Sequence, residues 1–178
     1  MREHYDAAEV GRLIDELADA LSAAFASDSP LVVIGIRTRG ETLAARLTDT
    51  LRQRGYRDIG RGVLDITLYR DDLSEIGYMP MVRPTRIEAD INAKPLLLVD
   101  DVLFTGRTVR AGLDALTDFG RPSAIRLAVL VDRGGRELPI RPDFTALKLG
   151  ELPVNRVVKV RLQENDGRDA IDIEERNI

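Results

Sequence analysis

Apolar residues recur at helical spacing at the start of the chain, where Val10, Leu13, Ile14, Leu17, Leu21, Ala24 and Phe25 share one face. The pattern predicts an amphipathic helix from about Ala7 to Ala26. Its other face, with Glu9, Arg12, Asp15, Glu16 and Asp19, is mostly acidic and reads as solvated. Ser27-Asp28-Ser29-Pro30 breaks the helix, and the run Leu31-Val32-Val33-Ile34-Gly35-Ile36 reads as a strand buried on both faces. A polar crossover, Arg37-Thr38-Arg39-Gly40, leads into a second helical pattern at Leu43, Ala44, Leu47 and Leu51. Arg54, Gly55, Arg57, Gly60 and Arg61 then form a glycine-punctuated connection. Beyond it, Leu64, Ile66 and Leu68 alternate with Asp65, Thr67 and Tyr69, which predicts a strand over Val63–Tyr69.

From Arg70 onward about twenty residues, including Gly77, Pro80 and Pro84, sustain no helical period. An insertion of that length between core strands predicts a lid over about 70–90, mobile without ligand, with Arg70 at its hinge. Leu96-Leu97-Leu98-Val99 reads as a second buried strand, and Asp100 and Asp101 stand where it leaves the core. Thr105-Gly106-Arg107-Thr108 precedes a helical pattern at Val109, Gly112, Leu113 and Leu116, which Gly120 and Pro122 terminate. Ala124 to Val131 is another strand and ends in Asp132-Arg133-Gly134-Gly135-Arg136. Phe144 to Gly150 is a short apolar piece. Val158, Val160 and Leu162 then alternate with Lys159 and Arg161, and Asn165-Asp166-Gly167 turns the chain toward Ile171 and Ile173, predicting a closing hairpin. Strands alternating with helices predict an α/β fold: one domain over residues 1–178, a parallel sheet flanked by helices, with the loop at about 70–90.

Composition narrows the chemistry. With no cysteine there is no disulfide, thiol nucleophile or zinc thiolate site. The single histidine, His4, falls in a predicted N-terminal tail, so histidine-dependent triads and histidine-rich metal sites are excluded. No run is apolar and long enough to span a bilayer, and the acidic N-terminus does not resemble a signal peptide, so a cytoplasmic protein is expected. A net charge of −4 gives no global attraction to nucleic acid. RNA binding would have to rest on a local patch, and the four arginines Arg126, Arg133, Arg136 and Arg141, with Lys148 beyond, supply one.

The string from Leu96 to Thr108 has the parts needed to hold a phosphorylated sugar. Two carboxylates at a strand end can accept hydrogen bonds from vicinal hydroxyls. Two hydroxyls, a glycine and an arginine at a helix N-terminus can cradle a phosphate on unpaired N–H groups. Ligands of open α/β sheets collect beyond the carboxyl ends of the strands, so the Arg37–Gly40 crossover should face this loop. Its arginines, hydroxyl and N–H groups suit a pyrophosphate.

The ordered string resembles the 5-phosphoribosyl pyrophosphate (PRPP) motif of type I phosphoribosyltransferases. The likeness extends to Gly35-Ile36-Arg37-Thr38-Arg39-Gly40, to Asp65-Ile66-Thr67-Leu68-Tyr69-Arg70-Asp71-Asp72-Leu73, and to Leu130-Val131-Asp132-Arg133-Gly134 with Arg136-Glu137-Leu138-Pro139-Ile140-Arg141. These strings look like the bacterial PyrR family, pyrimidine operon regulators with uracil phosphoribosyltransferase activity. The resemblance implies a type I phosphoribosyltransferase-like fold with a flexible loop and a small C-terminal hood, at about 132–178, over the base. It also implies that uracil and PRPP give UMP and pyrophosphate, with Mg2+ carried in on PRPP. It assigns Phe104, Thr105, Gly106, Arg107 and Thr108 to the 5′-phosphate loop. Asp100 and Asp101 are assigned to the ribose hydroxyls and the oxocarbenium charge, Thr38, Arg39 and Gly40 with Arg70 from the lid to pyrophosphate, and Val131 and Asp132 to the base. It implies no certain protein metal ligand. A homodimer or higher homo-oligomer is expected, and leader mRNA of pyrimidine genes is the implied macromolecular partner, with Arg133, Arg136 and Arg141 as its contacts. Substituting Arg136 or Arg141 is expected to weaken RNA binding while sparing turnover. Phe104 stands where oxopurine enzymes carry an Asp, which argues against a purine. Gly135 replaces the family's usual His, and Asp15 and Asp19 are acids where relatives tend to be neutral or basic. These departures keep open a catalysis-only member. A salvage enzyme for another base and a non-catalytic nucleotide sensor also remain open.

Overall fold

The computed structural model describes residues 3–69 and 84–175. In chain order the elements are β1 (His4–Tyr5), α1 (Ala7–Ala24), β2 (Leu31–Ile36), α2 (Arg39–Gln53), β3 (Ile59–Leu64), β4 (Arg86–Ile87), β5 (Pro95–Leu103), α3 (Arg107–Leu116), β6 (Ala124–Asp132), β7 (Phe144–Lys148), β8 (Arg156–Arg161), α4 (Gln163–Asp166) and β9 (Ala170–Glu175). Six strands form the main sheet in the order β4-β3-β2-β5-β6-β7, parallel except for β4 at its edge. The small sheet, β1-β9-β8, is antiparallel. Of the segment from residue 132 onward, β7 thus extends the main sheet, while β8 and β9 join β1 in the small one.

Both faces of the main sheet are covered, which is why β2 and the first half of β5 are apolar without alternation. On one side Leu17 and Leu21 of α1, Leu43 and Leu47 of α2, and Val160 and Ile171 of the small sheet pack against Leu97, Val99 and Leu130. On the other, Val109 and Leu116 of α3 cover Ile34, Leu98 and Val129. Each fully buried leucine of this kind contributes about 1.5–3 kcal/mol. α1 starts at Asp6, whose carboxylate accepts from Glu9 N at 3.0 Å while Glu9 accepts from Asp6 N at 3.0 Å. This reciprocal box satisfies two of the donors that a helix start leaves unpaired.

Two predicted elements differ from those observed. The strand expected over Val63–Tyr69 lies earlier, at Ile59–Leu64. Its register on β2 pairs Leu31 with Ile59 and Ile36 with Leu64, so the neighbouring strand ends where β3 does. Past that point Asp65 turns the chain. Its Oδ1 accepts from Thr67 N at 2.8 Å, Tyr69 N donates to Ile66 O at 2.9 Å, and Thr67–Tyr69 forms a 3-10 turn that leaves Leu68 65% exposed. The N-terminal tail is likewise structured. His4 and Tyr5 pair with Asp172 and Ile171 in β9, and His4 Nδ1 lies 2.7 Å from Asp172 Oδ1.

Candidate active site

β2 and β5 are adjacent parallel strands, so the segments leaving their carboxyl ends meet. Gly35 and Gly40 set how closely. A Cβ on Gly35 would sit 2.3 Å from Gly40 O, and one on Gly40 would sit 2.6 Å from Val99 O. Only glycine at both positions lets the first turn of α2 rest directly on β5. Thr38 and Arg39, which follow a cis Arg37–Thr38 peptide bond, are thereby brought over Asp100 and Asp101.

The carboxylates lie within the last residues of β5 rather than past its end. Asp100 is 6% exposed, and its Oδ1 accepts from Asp101 N at 3.0 Å. Burial pushes the Asp100 carboxyl well above the usual range, and the neighbouring Asp101 charge pushes it further. Burial also raises Asp101, while the hydrogen bond to Asp100 and the positive charge of Arg39 pull it back. Two desolvated carboxylates side by side are costly on their own, and they call for a cation or a hydrogen-bond donor. They open into a cleft of about 460 Å³ that is also lined by Thr38, Arg39, Val102, Thr108 and the Asp65–Thr67 turn.

The remaining residues of the hydroxyl loop occupy the turn before Thr108. Gly106 is the N-cap of α3 with φ +94°, a conformation that glycine adopts freely, and it offers the helix no side-chain cap. Thr105 Oγ1 accepts from Arg107 N at 3.3 Å, and Thr105 O accepts from Glu137 N at 3.0 Å and Leu138 N at 3.1 Å. Arg107 Nε meets Glu137 Oε2 at 2.6 Å. The loop is thus braced from outside by the segment after β6.

That segment holds the arginines expected to face RNA, and it places them unequally. Arg133 is 5% exposed, with its guanidinium stacked 3.8 Å from the centre of the Phe104 ring. Burial depresses its pKa, and among the described residues its Nε and Nη2 have no hydrogen-bond partner. A residue so enclosed is not a surface contact, contrary to the expectation. Arg136 is a clasp: Nε donates to Ile140 O at 2.9 Å, Nη1 to Phe104 O at 2.8 Å, and Nη2 lies 2.7 Å from Asp132 Oδ1. Asp132 Oδ1 also accepts from Gly134 N at 3.0 Å, so one oxygen of this base-binding candidate is already engaged. Val131 is fully buried and pairs with Leu147 in the sheet. Arg141 is exposed and borders, with Lys148, a second depression of about 380 Å³ that Asp132 and Arg136 also line, so the base candidate Asp132 opens there and not into the cleft of the two carboxylates. Arg70 lies outside the described residues.

Asp166 was not a candidate from the sequence, yet it takes Arg39 at 2.6 Å. Asn165-Asp166-Gly167 signals a turn and nothing about which charge that turn will meet.

Residues 2–165 match the phosphoribosyl transferase domain family. The bifunctional protein PyrR of Thermus thermophilus is 50% identical over 176 residues, spanning 98% of this chain and 96% of that protein. The chain belongs to the PyrR family. A second PyrR relative, from Deinococcus radiodurans, is 48% identical over 93% of this chain and 90% of its own length. Among solved structures, the hypoxanthine phosphoribosyltransferase of Trypanosoma cruzi superimposes with a TM-score of 0.71 over 99% of this chain and 98% of its own, at 17% identity. A hypoxanthine-guanine phosphoribosyltransferase of Bacillus anthracis does so at 0.71 over 98% and 99%, at 15% identity. These two share the type I phosphoribosyltransferase fold with this chain.

Proposed function

We infer that this PyrR-family chain transfers the 5-phosphoribosyl group of PRPP to uracil, giving UMP and pyrophosphate, and acts as a UMP-responsive attenuator on leader RNA of pyrimidine genes. The observation that carries the enzymatic half is the meeting of Asp100 and Asp101 with Thr38, Arg39 and Thr108 in one cleft.

The reaction separates two charges, an oxocarbenium-like ribose and a departing pyrophosphate. Asp100 and Asp101 accept from the ribose hydroxyls and stabilise the developing positive charge. The hydroxyls of Thr105 and Thr108, with the N–H groups of the first turn of α3, hold the 5′-phosphate. Phe104 and Gly106 shape that loop, and Arg107 adds positive charge at its rim. Thr38, Arg39 and the Gly40 N–H take the pyrophosphate, joined by Arg70. Fixed positions on rigid strand ends then supply most of the rate. Val131 places the strand end beside the base, and the uracil edge is read by Asp132 Oδ2, the oxygen left by the clasp. Phe104 has no proton to exchange with a base, which favours a pyrimidine over a 6-oxopurine.

Among the described residues no cluster of three or more His, Cys, Asp or Glu could hold a metal ion. The desolvated Asp100–Asp101 pair fits a cation that arrives on the substrate, because a cation restores the charged form that burial disfavours. Mg2+ brought by PRPP would supply charge neutralisation there. The protein is expected to work in the cytoplasm as a homodimer or higher homo-oligomer.

UMP formation from uracil, PRPP and Mg2+, measured beside leader-RNA binding with and without UMP at fixed salt, tests both halves. Turnover with uracil and none with guanine or hypoxanthine is the expected result, and turnover confined to purines would overturn the assignment. One observation favours a catalysis-only member as the second reading. Asp15 and Asp19 of α1 are exposed acids, and Arg133 and Arg136 are turned to internal partners. Turnover without RNA binding selects that reading.

A further inference from the structure

One stripe of α2 faces the segment between β8 and β9. Arg39, Thr42 and Arg46 are spaced three and four residues apart, which puts them on the same side of the helix. Arg46 Nε donates to Glu164 Oε1 at 2.9 Å and Arg46 Nη1 to Asp169 Oδ2 at 2.8 Å. Thr42 Oγ1 donates to Asn165 Oδ1 at 2.7 Å. Arg39 closes the row on Asp166, with Nε 3.1 Å from Oδ2 and Nη2 2.6 Å from Oδ1.

The two ends of this row differ. Neither Arg46 nor its partners line the cleft, whereas Arg39 does, and the Asp101 carboxylate acts on it there. Two acids therefore compete for one guanidinium. A guanidinium is planar with more than one donor edge, so a partner that fixes one edge decides what the other can reach. We propose that Asp166 is a positioning residue for pyrophosphate, holding the Nε–Nη2 edge of Arg39 so that the guanidinium cannot fold onto Asp101. The donors left over, on a side chain 38% exposed, then meet the pyrophosphate. Without Asp166, Arg39 pairs with Asp101, and one ion pair cancels both the positive charge needed by the leaving group and the negative charge needed by the ribose. The inference rests on the assignment of Arg39 to pyrophosphate.

Steady-state kinetics in both directions on Asp166→Asn, Arg39→Ala, their combination and Arg46→Ala test it. Asn keeps an oxygen for Leu162 N, which now donates to Asp166 Oδ2 at 2.9 Å, so the turn is retained. In Asp166→Asn the KM for PRPP and for pyrophosphate should rise about tenfold, as for loss of a charge-assisted contact, while the KM for uracil stays within about twofold. Adding Arg39→Ala should produce no further rise, because both changes remove the same contact. Arg46→Ala breaks the same helix-to-turn row away from the cleft and should lower Tm while leaving these KM values in place. An Asp166→Asn variant that raises every KM alike, that changes only Tm, or that is additive with Arg39→Ala overturns the proposal. An Arg39→Ala variant with unchanged KM for pyrophosphate overturns the assignment of Arg39 as well. If Arg39→Ala raises that KM and Asp166→Asn does not, only the positioning role falls.

Discussion

A buried carboxylate pair is a stability cost accepted at a single pair of residues. The Asp100 carboxyl has its folded pKa raised by burial and by Asp101, so the sign of its linkage is fixed. Below about pH 4 it is protonated in both folded and unfolded chains and costs nothing. As pH rises, the unfolded chain ionises first, and stability falls until the folded carboxyl also loses its proton. Asp100→Asn should therefore abolish turnover and yet stabilise the free protein by about 1–2 kcal/mol at neutral pH. That gain should shrink toward pH 4, as thermal melts at the two pH values would reveal. Gly40→Ala tests the packing that delivers Arg39. Its Cβ would meet Val99 O at 2.6 Å, and a main-chain oxygen cannot rotate aside. The helix start must shift, at a cost of about 1–3 kcal/mol, and the KM for PRPP should rise with the loss of alignment. Gly135 carries a related constraint, because a Cβ there would lie 2.6 Å from Phe104 Cε2. The ring that stacks on Arg133 fills the space a side chain at 135 would need.

At the scale of elements, α1, β2, α2, β5, α3 and β6 were legible in the sequence because each carries an unbroken apolar run or a helical stripe wide enough to show its period. β3 was not, because Gly60 and Gly62 read as loop. β4 and the residues after it lie tight against them: a Cβ on Gly60 would sit 2.8 Å from Ala89 Cβ and one on Gly62 3.1 Å from Arg86 O. The alternation after them belongs to a turn made by Asp65. β1 is too short to leave a pattern, and only its pairing with β9 defines it. The site divides in the same way. Asp100, Asp101 and Thr108 are reached by reading the strand and the helix start, whereas whether an arginine points to solvent, to a ring or to a carbonyl depends on the returning chain. The box at the start of α1 offers a clean test of element-level stability. Asp6→Ala should lower the urea midpoint of unfolding by an amount equivalent to about 1 kcal/mol and leave kcat unchanged.

For the whole molecule, the arginine cluster after β6 divides by exposure, with Arg141 open to solvent and Arg136 held by internal partners. Arg141→Ala and Lys148→Ala remove exposed cations, and they should weaken RNA binding and flatten its salt dependence, with any effect on turnover confined to the KM for uracil, because both residues share a depression with Asp132. Arg136→Ala should reduce both activities, contrary to what its charge alone suggests, because its guanidinium holds Phe104 O and Asp132 together. Gel-shift titrations over a range of salt, paired with initial rates on the same preparations, distinguish the two.

The pairing of β1 with β9 joins residues far apart along the chain, with His4 opposite Asp172, and the contact of Arg39 with Asp166 does the same. Contacts of such long range are slow to form, because the entropy of closing the loop is lost before any pairing offsets it. The parallel sheet and the helix starting at Arg39 are built from nearer neighbours and can assemble first. During synthesis, a nascent chain could thus display both cleft carboxylates and the hydroxyl loop on a formed sheet while Arg39 still lacked its anchor. Competence to release pyrophosphate would be the last property the folding chain acquires, gained only when Asp166 arrives.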